Sequence, residues 1–194
     1  MNGMKQLVLA SGSTGRREVM RELAIPFVVD VSNYEEDMSL NISPQDLAIY
    51  LSKGKAREVA GRHQNAVILA ADSFAVFNGE LLGKPHTNER AKEMLTMLSG
   101  KEHRFITGFT VIDADTHEEY SEAVETRLFF ENLTKQDIED YLLDEDVLAK
   151  AGAYNIQGKG RRLFEKIEGD ITNVIGLPLE NVRSALKRFG VSES

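Results

Sequence analysis

The sequence contains no cysteine and no tryptophan, and only four prolines and four histidines among 194 residues. Without cysteine the chain has no disulfide, no thiolate nucleophile and no cysteine-based zinc site, and its scattered histidines form no H-E-x-x-H motif. It also lacks a signal-peptide pattern and an apolar run of 18 residues, so we expect a cytoplasmic protein. The formal net charge of −8 disfavours binding to nucleic-acid polymers and to anionic membrane surfaces.

The residues that are present are typical of a globular protein, with 42% hydrophobic and 28% charged residues, and this predicts one folded unit. Apolar runs rich in strand formers alternate with amphipathic helical patterns, which predicts a mixed α/β fold. The predicted strands cover residues 7–10, 26–31, 66–77, 104–112 and 120–130, and the predicted helices begin at the caps Ser13, Ser43, Thr87 and Thr134 and at residue 178.

A loop rich in small hydroxyl residues and arginine follows the first predicted strand and precedes the first helix. It contains Ser11, Ser13, Arg16 and Arg17. Backbone N–H groups at a helix N-terminus attract anions, and arginine pairs with phosphate oxygens, so this segment predicts a phosphate site. The alternative is that Ser13 only caps the helix and that both arginines are solvated.

Asp72 interrupts an otherwise apolar strand, where an ionised carboxylate requires a partner. Such a carboxylate can ligate Mg²⁺ or deprotonate an attacking water, or it can have the purely structural role of binding backbone N–H groups. Lys55 shares the inward row of a predicted helix with Leu47, Leu51 and Val59. We therefore expect Lys55 to be the functional lysine of that helix.

Three further sites remain ambiguous on the pattern alone. Lys84 precedes a proline, which presents its ammonium group from a stiff segment, although a solvated lysine is equally compatible. Either Glu35 and Glu36 form a solvated acidic turn, or one of them supplies a carboxylate that binds a metal ion. Gln157, in the glycine-punctuated segment 152–160, can read a nucleotide base, but a plain surface loop is the alternative.

In order along nearly the whole chain, these motifs resemble the Maf family of nucleotide pyrophosphatases. The matching motifs are Ser11-x-Ser13-x-x-Arg16, Glu35-Glu36, Lys55-Ala56, Ala71-Asp72-Ser73, Gly83-Lys84-Pro85, Thr107-Gly108, Ala151-Gly152-Ala153-Tyr154-x-Ile156-Gln157-Gly158 and Asn173-Val174-x-Gly176-Leu177-Pro178.

The resemblance implies a three-layer, two-lobed α/β fold similar to that of inosine triphosphate pyrophosphatases, with a mixed sheet and helices on its faces. It implies one Maf-like domain over residues 1–194, with the active-site cleft between the lobes, and a homodimer. The implied reaction hydrolyses a nucleoside triphosphate to the monophosphate and pyrophosphate with a divalent cation, Mg²⁺, Mn²⁺ or Co²⁺. Two rival functions are a non-catalytic nucleotide-binding regulator of septum formation and a pyrophosphatase for modified nucleotides.

The resemblance also implies a role for each matching residue. Arg16, Ser73 and Gln157 are similar to the residues of the branch that acts on dTTP and UTP. Two departures stand out: Thr14-Gly15 replaces the usual Pro-Arg, and Ser73 replaces the usual threonine. The implied catalytic residues are Asp72, Lys55, Lys84 and Arg16; the implied substrate-binding residues are Ser11, Ser13, Arg16, Arg17, Ser73 and Gln157; the implied metal ligands are Asp72 and Glu36.

Overall fold

The computed structural model describes residues 5–192 and, within that range, has seven β-strands and six α-helices. This confirms the predicted α/β class. The strands are β1 (Gln6–Leu9), β2 (Phe27–Val29), β3 (Ala66–Phe77), β4 (Glu80–Leu82), β5 (Glu102–Asp113), β6 (Glu119–Phe130) and β7 (Phe164–Glu168). The helices are α1 (Thr14–Arg21), α2 (Pro44–Ala60), α3 (Asn88–Leu98), α4 (Lys135–Asp144), α5 (Ile171–Ile175) and α6 (Leu179–Arg188).

The strands form one mixed sheet in the order β2-β1-β3-β5-β6-β7, with β4 paired to β3. Strand β1 is parallel to both of its neighbours, so that Val8 lies opposite Val28 on β2 and Ile68 on β3. Strand β4 is antiparallel to β3, and β7 is antiparallel to β6. The apolar run of β3 is buried at almost every position, as expected for a strand covered on both faces.

Among the described residues the chain divides into two compact units. The first unit contains residues 5–72, 107–124 and 176–192, and the second contains residues 73–106 and 125–175. Strands β3, β5 and β6 each contribute residues to both units. The single two-lobed domain implied by the resemblance stays a prediction.

The helix starts follow from local side-chain chemistry. Ser13, Ser43, Thr87 and Thr134 each accept a hydrogen bond from the backbone N–H three residues later, and Pro44 occupies the first turn of α2. Such caps satisfy backbone donors that have no partner within the helix. All four predicted caps are therefore confirmed.

Helix α2 approaches strand β5 closely within the first unit. A Cβ atom on Gly108 would overlap the main chain of Ala48 and Ile49, so only glycine allows this approach. Next to it, the hydroxyl groups of Ser52 and Thr110 are 2.7 Å apart and buried. These contacts fix the helix that carries Lys55 against the sheet.

The sequence analysis missed several short elements of the second unit. Strand β7 has only one fully buried residue, and α5 is five residues long, so neither has a hydrophobic period long enough to detect. The segment predicted as a glycine-punctuated loop includes two 3-10 turns, Ala151–Ala153 and Lys159–Leu163. No helix within residues 5–192 has the length and apolarity required to span a membrane.

Candidate active site

The loop between β1 and α1 is held by its own hydroxyl groups. The Ser13 N–H donates to Ser11 Oγ at 3.2 Å, and Ser13 Oγ accepts from the backbone N–H of Arg16 at 3.4 Å. Ser13 is thus the helix cap, as predicted. The Arg17 guanidinium group donates to the carbonyl oxygens of Gly12 and Ser13, at 3.1 and 3.4 Å. Arg17 therefore braces the loop, and its predicted contact with substrate stays a prediction.

Arg16 projects from the first turn of α1 and is half-buried. Its Nε atom donates to the Gly176 carbonyl oxygen at 2.8 Å, and its Nη1 atom donates to Ser11 Oγ at 3.2 Å. Burial lowers the pKa of Arg16 below its usual value, while the negative charges of Asp72 and Glu36 act in the opposite direction. Because arginine remains protonated in proteins, the two carboxylates compensate for the cost of burying this cation.

Lys55 connects two carboxylates that are far apart in the sequence. Its Nζ atom lies 2.7 Å from Glu36 Oε1 and 3.3 Å from Asp72 Oδ2. The side chains of Lys55 and Asp72 are 14% and 13% exposed, whereas that of Glu36 is 44% exposed. Asp72 is the seventh residue of the twelve in β3, so it lies in the middle of the strand, as the predicted strand over residues 66–77 implies. Its carboxylate is paired with Lys55 and is partly accessible to solvent, as expected for an ionised group within an apolar strand.

The structure therefore brings together two cations, Arg16 and Lys55, and two anions, Glu36 and Asp72. Both acidic-loop residues are exposed, but it is the Glu36 carboxylate that contacts Lys55. At a partly buried position such charges interact more strongly than in water. Within the first unit the structure thus brings together six of the candidate residues, Ser11, Ser13, Arg16, Glu36, Lys55 and Asp72, and their roles stay predictions.

These residues suit a divalent cation that also binds substrate phosphates. Glu36 Oε1 and Asp72 Oδ2 both contact the Nζ atom of Lys55. The distance between these two oxygens therefore cannot exceed the sum of the two ion-pair distances. Across residues 5–192 no cluster of three or more histidine or acidic side chains is arranged as a metal site. Mg²⁺ is commonly held by one or two carboxylates, substrate phosphates and waters. The donor set fits that pattern better than it fits an all-protein cage.

The other predicted site residues belong to the second unit. Ser73 directly follows Asp72 in β3 and is half-buried. Lys84 and Gln157 are exposed, Lys84 after β4 and Gln157 between the two 3-10 turns. The exposure of Lys84 and Gln157 leaves both side chains accessible to a ligand. Their predicted roles, and that of Ser73, stay predictions.

The segment that carries Gln157 is anchored in a buried aromatic cluster. The Tyr154 hydroxyl group lies 2.9 Å from Nε2 of His103, and their rings meet edge to face. The Asn155 N–H donates to the hydroxyl group of Tyr141 at 2.9 Å. Tyr154 is thus packed within the second unit, while Gln157 is exposed.

Sequence reasoning missed the residues that hold the acidic loop in place. The ring of Tyr34 lies against the Cα atom of Gly54, where any Cβ would overlap it. Glu58 accepts hydrogen bonds from the Ser32 hydroxyl group and from the Asn33 N–H. A glycine inside a long helix is a signal of close approach, and it could have drawn attention to Gly54.

Comparison with known proteins gives a consistent result over the full length. The family model described as Maf-like protein matches residues 6–189. A protein of Methanosarcina mazei named dTTP/UTP pyrophosphatase is 42% identical over 190 residues, which cover 97% of this chain and 96% of that protein. A protein of the same name from Halalkalibacterium halodurans is 40% identical over 189 residues, covering 97% and 98% of the two chains. The chain belongs to the Maf-like protein family.

Proposed function

We propose that this protein is a nucleoside triphosphate pyrophosphatase that hydrolyses dTTP and UTP to the monophosphate and pyrophosphate. The observation that carries the proposal is the cluster in which Lys55 joins Glu36 and Asp72 beside Arg16. It combines cations that bind phosphate with carboxylates that bind a divalent cation. Relatives about 40% identical over nearly the full length carry the name of this activity.

The positive groups provide the phosphate side of the proposed site. Arg16 is positioned by the Gly176 carbonyl and by Ser11, so its guanidinium group has a fixed orientation. Lys55 is a compact charge that can move from its carboxylate partners to a phosphate oxygen. Lys84, which is exposed, is also proposed to bind substrate phosphate. Fixed charges of this kind stabilise the charge that develops during phosphoryl and nucleotidyl transfer.

Asp72 and Glu36 would hold the divalent cation, which supplies charge neutralisation and Lewis-acid polarisation of the phosphate oxygens when bound. Asp72 is the more enclosed of the two carboxylates, with a side-chain exposure of 13% against 44% for Glu36. A water molecule that attacks the α-phosphorus would give the monophosphate and pyrophosphate. Asp72 serves this step either as a cation ligand or as the base that accepts the water proton, and both roles require its carboxylate.

Ser73 and Gln157 are proposed to select the base. The hydroxyl and amide groups can hydrogen-bond the edge of a pyrimidine, and a site built on such bonds rejects bases that leave it unpaired. Gln157 lies on a segment anchored through Tyr154 and Tyr141, so its backbone has a defined position. The homodimer and the cytoplasmic location stay predictions.

The proposal is tested by measuring pyrophosphate release from a panel of ordinary and modified nucleoside triphosphates with Mn²⁺. We expect UTP and dTTP to be hydrolysed faster than purine nucleotides, and Gln157→Ala to reduce that preference with a smaller effect on total turnover. Binding without pyrophosphate release would indicate the non-catalytic regulator. A preference for modified bases would indicate a sanitising enzyme, and a preference for GTP analogues would contradict the assigned branch.

A further inference from the structure

The segment from Asp30 to Glu36, which we call the strap, lies along helix α2. From Asp30 to Tyr34 its residues contact the helix in reverse order. Asp30 accepts hydrogen bonds from Arg62 at 2.9 and 3.2 Å and lies 2.8 Å from Nε2 of His63. The start of the strap is therefore attached just beyond the C-terminal end of α2.

The middle of the strap is attached one helical turn earlier. Glu58 Oε2 accepts from the Ser32 hydroxyl group at 2.9 Å and from the Asn33 N–H at 3.0 Å. The other Glu58 oxygen accepts from Arg62. Glu58 thus joins the strap to the same arginine that holds Asp30.

The end of the strap reaches the candidate site. One further turn along α2, the ring of Tyr34 lies on the Cα atom of Gly54. Two residues later, Glu36 pairs with Lys55 at 2.7 Å. From Ser32 to Tyr34 the strap advances by two extended residues, at most about 7 Å, while its contacts move by one helical turn, about 5.4 Å, so strap and helix stay in step over this part. Glu36 then pairs with Lys55, the residue next to Gly54 in the helix.

We propose that Glu58 and Gly54 are positioning residues that set the location of Glu36 through the strap. The side chain of Glu36 is 44% exposed, so the short contact with Lys55 alone does not fix the backbone that carries it. The ties at Glu58 and Gly54 supply that constraint. This inference rests on the proposed function, because Glu36 matters only if its carboxylate binds the cation.

The test is a double-mutant cycle on Mn²⁺ affinity, measured by electron paramagnetic resonance without nucleotide. Glu58→Ala is expected to weaken Mn²⁺ binding by roughly tenfold, as is common for residues that orient a metal ligand. In the Glu36→Gln background the same change is expected to have no further effect, because it acts through Glu36. Glu58→Gln, which keeps one acceptor oxygen, is expected to give an intermediate affinity.

Two additional variants separate positioning from folding. Gly54→Ala leaves the Glu58 hydrogen bonds intact but displaces Tyr34, and it is expected to weaken Mn²⁺ binding only when Glu36 is present. Glu93→Ala removes an exposed ion pair with Arg90 on α3 and is expected to leave the Mn²⁺ affinity unchanged. Hydrogen exchange in the peptide 31–37 is expected to accelerate in Glu58→Ala and not in Glu93→Ala.

The outcomes are distinguishable. If Glu58→Ala and Glu36→Gln weaken Mn²⁺ binding additively, or if Glu58→Ala has no effect, the positioning role is wrong while the proposed function stands. If the unmodified protein binds no Mn²⁺ without nucleotide, the inference fails, because Glu36 and Asp72 then form no cation site of their own. The cation part of the proposed function fails only if no Mn²⁺ binds in the presence of a non-hydrolysable UTP analogue either.

Discussion

Replacing Asp72 with asparagine lowers the turnover of UTP hydrolysis by on the order of 10²-fold or more. The amide keeps the size of the side chain but has no negative charge, so it is a poor cation ligand and cannot accept the proton of an attacking water. The pairing with Lys55 at 3.3 Å shows that this carboxylate faces the other charged groups of the site. Steady-state kinetics of pyrophosphate release measures the effect.

Asp113→Asn is the matched control for this experiment. The Asp113 side chain is 12% exposed, nearly the same as the 13% of Asp72, and it also pairs with a lysine, Lys5, at 2.6 Å. We expect this variant to change stability and not turnover, because it lies outside the cluster of Arg16, Lys55 and Glu36. Turnover of the Asp72 variant within a factor of about two of the unmodified enzyme would rule out a catalytic role.

Acidification from pH 7 to pH 5 removes about 2 kcal/mol of the free energy of unfolding through His103 alone. His103 is 2% exposed, and burial lowers its pKa from the usual 6.5 to about 4. The unfolded chain therefore binds a proton between pH 6.5 and 4 that the folded protein does not bind. Stability is complete above pH 6.5 and falls as the pH decreases, and the total loss is about 3 kcal/mol below pH 4.

Chemical denaturation at the two pH values measures this loss, with His103→Gln as the comparison. Glutamine does not titrate and retains a polar partner for the Tyr154 hydroxyl group, which lies 2.9 Å from His103. We expect the variant to lose about 2 kcal/mol less than the unmodified protein over this pH interval. Equal losses in both proteins would show that His103 does not resist protonation in the folded state.

The sequence predicted those parts of the fold that depend on local patterns. The twelve-residue strand β3 and the caps at Ser13, Ser43, Thr87 and Thr134 were all identifiable, because apolar runs and capping side chains act within a few residues. Strand β7 was not identifiable, because its register depends on pairing with β6 and its own sequence has no clear alternation of apolar and polar residues.

The candidate site, too, could be predicted from the sequence only where a local pattern reveals a residue. Asp72 and Lys55 stood out because each is a charge placed within an apolar pattern, and the structure brings them to 3.3 Å. The sequence pattern alone did not distinguish Glu35 from Glu36, and only the resemblance implied Glu36. The contact of Glu36 with Lys55 depends on how the strap lies on α2. No local signal indicates that Gly176, 160 residues away in the chain, accepts a hydrogen bond from Arg16.

The structure also gives a physical interpretation of the departure from the family pattern at Thr14-Gly15. The family pattern usually has proline and arginine there, so this chain lacks one positive charge and one rigid residue at these positions. In the structure Arg17 donates to the carbonyl oxygens of Gly12 and Ser13. It therefore stiffens the loop, which is the contribution that a proline would otherwise make.

In the proposed reaction, water attacks the α-phosphorus of a pyrimidine nucleoside triphosphate. Hydrolysis of UTP in water enriched in oxygen-18, followed by mass spectrometry of the products, tests this directly. We predict that the label appears in uridine monophosphate and is absent from pyrophosphate. Label in pyrophosphate or in orthophosphate, or no labelled product at all, would contradict the account.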